Sequence, residues 1–149
     1  MGNIYGIANP LPLPASYGTV SAGDVTLTSS TEVTAITTGA LVASGPGNYY
    51  PLITGLLTVV FGATAPSAFQ IAFKLGSGSD VASFVVEPGL LTNLGELMIP
   101  FCFVGANSAS AWLGSGSTIN ITGKGTGQAS TAKNVGSYAV VQLLRGPDA

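Results

Sequence analysis

The amino-acid sequence predicts an all-β antiparallel sandwich of about eight strands with an extended N-terminal arm. Three observations carry this. Val, Ile, Thr, Phe and Tyr are plentiful, while strong helix formers are scarce. Apolar runs are of strand length and are separated by clusters of Gly, Ser, Pro and Asn at fairly even intervals. No stretch shows the apolar spacing of an amphipathic helix. The chain has 149 residues, the size of one domain, so we divide it into an arm over 1–18 and a sandwich body over 19–149.

The arm carries Pro10, Pro12 and Pro14 at alternate positions, each fixing its own φ and keeping the preceding residue out of the helical region. Ile4, Tyr5, Ile7, Leu11 and Leu13 make it apolar. It is expected to lie on the body or on a neighbouring subunit, through Ile4, Tyr5, Ile7, Pro10, Leu11, Pro12, Leu13 and Pro14.

The first strand of the body is expected at 24–28 and the second at about 32–42, with Val33, Ala35 and Thr37 alternating against Thr34, Ile36 and Thr38. The cluster Ser44 to Asn48 turns the chain. A mostly apolar third strand runs over 52–61. The fourth, 69–75, has the clearest period of two: Phe69, Ile71, Phe73 and Leu75 on one face, Gln70, Ala72 and Lys74 on the other. Gly76 to Asp80 turns it into a fifth strand over 81–87. Pro88–Gly89 ends that strand, and 90–94 can form a single helical turn. The sixth strand covers 95–104, where Pro100 requires a bulge or a sheet edge. The seventh covers 117–122 and the eighth 137–144, with 123–135 between them read as a loop.

Charged residues are only 7% of the chain, against about 25% in an ordinary soluble domain. The net charge is −2, and four scattered Lys and Arg do not make the clustered patch that a phosphate backbone needs. Nucleic acid is therefore not expected as a partner. Neither is a membrane: no apolar run approaches the roughly 18 residues of a spanning helix, and no charged leader followed by an apolar core opens the chain. So uncharged a surface points to burial against other subunits, together with a neutral Ser/Thr/Gly coat.

Catalytic readings fail on residue types. There is no histidine, which removes the Ser-His-Asp arrangement and leaves the single cysteine, Cys102, without a base. Within Ile99–Val104, Cys102 reads as a small buried hydrophobe. Gly76–Ser77–Gly78, Gly114–Ser115–Gly116 and Gly123 to Gly127 do not complete a phosphate-binding loop, and none leads from a strand into a helix; they read as turns. Glu87 and Glu96 are the nearest thing to a carboxylate pair and read as solubilising charges. Asp24 and Asp80 read as turn caps, with a weak calcium site at Asp80 as the sharper alternative. Asn120–Ile121–Thr122 matches the glycosylation sequon inside a strand. No enzyme activity, cofactor or metal is expected. Tyr49, Tyr50 and Trp112 could form a sugar-stacking platform, the alternative being a carbohydrate- or receptor-binding module outside the cell.

The run Tyr49–Tyr50–Pro51 leading into Leu56–Phe61, the hairpin of 69–75 with 81–87, Ser117–Ile121 and the closing Gly136–Leu144 together resemble a single jelly roll. The pattern is similar to small jelly-roll virion proteins, in particular the capsid decoration or cement proteins of tailed bacteriophages, and more distantly to the trimeric tumour-necrosis-factor and C1q-type sandwiches. The resemblance spans about two thirds of the chain and carries over no functional residue. It implies a structural protein of a capsid surface, a homo-oligomer with a trimer favoured, bound to a major capsid protein.

Overall fold

A computed structural model describes residues 15–20, 23–40, 49–76, 78, 80–86, 95–104 and 118–145. These residues contain ten strands and no helix: β1 Ala15–Val20, β2 Val25–Leu27, β3 Val33–Thr38, β4 Tyr49–Phe61, β5 Phe69–Leu75, β6 Asp80–Val86, β7 Glu96–Val104, β8 Ile119–Gly125, β9 Ser130–Ala132 and β10 Tyr138–Arg145.

Four antiparallel pairs are nested in one another. β5 pairs with β6 across the short Gly76 turn, β4 with β7, β3 with β8, and β1 with β10. Rolled up, this long double strand gives two sheets, β7–β4–β10–β1 and β3–β8–β5–β6, joined where β1 also pairs with β3. This is a jelly-roll sandwich, as the strand pattern predicts. β2 and β9 add a short ladder beside the end of β4.

The core lies between the sheets. Ile53, Leu57 and Val59 of β4, Ile99, Phe101 and Phe103 of β7, and Ala139, Val141 and Leu143 of β10 face Ile36, Phe69, Ile71, Phe73, Ile119 and Ile121. Phe103 is the hub at the open edge, with ring centroids 5.1 Å from Phe73, 5.6 Å from Phe84 and 5.9 Å from Phe101. Phe61 and Phe69 meet edge to face at 5.8 Å. Gly55 is the register partner of Phe101. A Cβ on Gly55 would come within 2.5 Å of that ring and 2.2 Å of the Tyr138 carbonyl oxygen, so no larger residue fits beneath Phe101.

The strands expected over 69–75 and 95–104 stand at Phe69–Leu75 and Glu96–Val104. Pro100 is on β7, which pairs only with β4 among the described residues and runs without a bulge; an edge strand spares the N–H that proline lacks. Four features differ from expectation. Ala15 to Gly18, read as the end of the arm, open β1 between β10 and β3. Residues 130–132, read as loop, form β9 against β2 and β4. β8 runs on to Gly125. The simple alternation over 33–38 breaks at a register shift between Thr34 and Ile36, so that Ala35 and Ile36 are both buried. Residues 1–14 and 90–94 lie outside the described residues.

Candidate interaction face

The two sheets turn different surfaces outward. On β3–β8–β5–β6 the outward positions are mostly polar and bonded to one another. The Thr37 hydroxyl donates to Asn120 Oδ1 at 2.8 Å, and Asn120 Nδ2 donates to the Gly76 carbonyl at 2.6 Å. Beside them Lys74 Nζ pairs with Glu32 Oε2 at 2.6 Å. Both oxygen and nitrogen of Asn120 are thus occupied inside a strand, where a sequon needs a free, accessible amide.

On β7–β4–β10 the register aligns mostly apolar residues in rows: Gln142, Leu52 and Val104; then Val140, Thr54 and Cys102; then Tyr138, Leu56 and Pro100. Met98 follows next to Thr58 on β7, and Leu144 lies one step beyond Gln142 on β10. Met98 is 59% exposed, Val104 58%, Tyr138 41% and Leu144 39%. Among the described side chains this face carries one charge, Glu96, at its end beside Val60.

Periodicity alone could not identify this face. Leu97, Ile99, Phe101 and Phe103 alternate with Met98, Pro100, Cys102 and Val104, and both sets are apolar. The sequence reading of Cys102 as a buried hydrophobe is corrected here: its thiol is free and exposed, because the inward places are filled by Phe101 and Phe103.

A five-residue insertion borders the face. β9 and β10 both pair with one edge of β4, and Lys133–Ser137 spans the gap between them. Its two ends take over both backbone groups of Thr58. The Lys133 N–H donates to the Thr58 carbonyl at 2.8 Å, and the Thr58 N–H donates to Ser137 Oγ at 2.9 Å. Asp24 holds the outer side, accepting from the Asn134 N–H at 2.9 Å and pairing with the Lys133 ammonium. These two donors, Lys133 first, hold the Asp24 carboxyl below its ordinary value. Gly136 crosses Thr58 with φ +84°, and a Cβ there would stand 3.0 Å from Thr58 Oγ1. Val135, at the tip, is 82% exposed.

Between β2, β4 and β9 lies a cleft of about 180 Å³ lined by Thr26, Phe61, Ser130 and Thr131. It is smaller than the roughly 300–1,000 Å³ of small-molecule sites. Of the residues read as a stacking platform, Tyr49 and Tyr50 open β4, their backbones paired with Arg145 and Leu144; Trp112 lies outside the described residues. So do Ile4, Tyr5, Ile7, Pro10, Leu11, Pro12, Leu13, Pro14 and Glu87. Asp80 opens β6 opposite Lys74.

No family model matches the chain, and no curated sequence does. Among solved structures it is similar to that of Eiger TNF from S. frugiperda, with a TM-score of 0.57 and 8% identity over 93% of this chain and 97% of that one. At that identity the likeness is one of fold.

Proposed function

We propose that this chain is a non-enzymatic structural subunit that assembles with copies of itself, as a trimer, and stabilises a virion shell as a capsid decoration, cement or minor capsid protein. The observation that carries the self-assembly is the exposed, nearly uncharged outer face of β7–β4–β10. Monomeric proteins cover such surface with mixed charge, and this chain has little charge to spare. Burying the face removes apolar area from water at about 25 cal/mol per Å² and strands almost no ion. The capsid setting and the major capsid protein as partner rest on the strand-pattern resemblance to virion jelly rolls.

Light scattering over a wide concentration range tests the assembly. A fixed trimer or a closed particle is the expected mass. A monomer at every concentration overturns the reading. Co-sedimentation with assembled capsids then tests the virion role.

A further inference from the structure

We infer that residues 1–14 of a neighbouring copy lie on the outer face of β7, β4 and β10. This deepens the self-assembly reading and rests on it. The first support is area. Three strands about 4.8 Å apart and about 30 Å long offer on the order of 400 Å², roughly half of the ~800 Å² per partner of a stable interface. A contact limited to this face is therefore undersized, and chain from outside the sandwich body supplies the rest.

The second support is where that chain enters. Ala15, the first residue of β1, is paired with Gln142, which is paired with Leu52, which is paired with Val104. Residues 1–14 thus join the sheet level with the Val104 end of the face. β1 runs antiparallel to β10 and away from that end, so the chain enters the sheet there. Pro10, Pro12 and Pro14 disfavour the immediate reversal that would return them to their own sheet. Fourteen residues reach about 46 Å when extended, enough to cross the whole face of a neighbour.

The third support is chemistry. Residues 1–22 contain no charged side chain. Ile4, Tyr5, Ile7, Leu11 and Leu13 match a face of Leu52, Leu56, Met98, Val104, Tyr138 and Val140. Apart from Glu96 at the far end of the face, neither side brings a described charged side chain that would have to be desolvated.

Cys102, in the middle row of the face and the only cysteine of the chain, is a built-in reporter. The experiment follows its rate of reaction with a water-soluble aromatic disulfide, in the intact chain and in the full-length double variant Leu11→Ser, Leu13→Ser, with mass measured in parallel. Protection in the intact oligomer, lost on dilution and lost by about tenfold or more in the variant, is the expected result. Deleting residues 2–14 should give the same exposure, with far-UV circular dichroism confirming the fold. An oligomer that protects Cys102 equally in all three chains overturns the inference and leaves the subunit reading standing, since the sheets then pack directly. An oligomer whose thiol reacts freely places the contact elsewhere and also overturns it. A monomer at all concentrations overturns both, whether its thiol is protected or not.

Discussion

On the β3–β8–β5–β6 sheet several outward side chains bond to one another. On β7–β4–β10 they are mostly apolar, and several stand exposed. Both sheets bury the same core, so the difference lies in what each does with the alternate residues of its strands. The first spends them on neighbours in its own sheet: Thr37 with Asn120, and Lys74 with Glu32. The second leaves Met98, Val104, Tyr138 and Leu144 in water. A strand that is apolar on both faces is what a sheet buried on both sides requires. The asymmetry is that of a molecule finished on one side and awaiting a partner on the other.

The largest expected effect breaks both sheets together. Phe103→Ala removes the ring that joins Phe73 and Phe84 to Phe101 and should cost about 3–5 kcal/mol in denaturant unfolding. A smaller loss would mean that the two sheets are less dependent on this edge than its ring contacts indicate.

The next separates the sheets. Met98→Lys combined with Val104→Lys should weaken self-association by about a hundredfold, near 3 kcal/mol, and leave the monomer's stability within about 0.5 kcal/mol. Val85→Lys is the control. It is equally exposed but on the other sheet, and should leave the measured mass unchanged.

Asn120→Ala reverses the test. Losing two side-chain hydrogen bonds on the polar sheet should cost about 1–2 kcal/mol of stability with no change in mass. A change in mass would make that face a contact as well.

The smallest effect concerns the border of the apolar face. Asp24 has a depressed carboxyl pKa in the folded chain. Its contribution is therefore present above the unfolded value, about pH 4, and is lost as pH falls through the folded value. Asp24→Asn should lower the melting temperature near neutral pH, and the gap from the parent should close on acidification. A gap that persists in acid would show that the Lys133 pair is not its source.

The sandwich was legible wherever inward and outward residues differ in kind. Phe69, Ile71 and Phe73 against Gln70 and Lys74 define β5 to the residue. β9 was not legible because Ser130, Thr131 and Ala132 are small and carry no apolar signature; only pairing with β2 and β4 makes them a strand. β1 was hidden for a related reason: Ala15–Val20 follows directly on the proline run, and its partners are distant in sequence. The candidate face escaped because period two separates faces without saying which is buried when both are apolar. The exposure of Cys102 follows from the larger rings at 101 and 103 claiming the interior. The residues singled out for arm and platform contacts fall outside the described residues, except for the backbones of Tyr49 and Tyr50.

The nesting of the four strand pairs sets a schedule for synthesis. β5 and β6 can join as soon as both have left the ribosome, but β1 and β4 wait for β10, the last of the described strands. Until then β4 lacks its neighbour along 49–56, and its backbone donors and acceptors there stand open. An apolar strand with an open edge is a site of premature pairing between nascent chains. β10 thus acts as a latch, and a ribosome that stalls before residue 138 leaves the sheet unclosed.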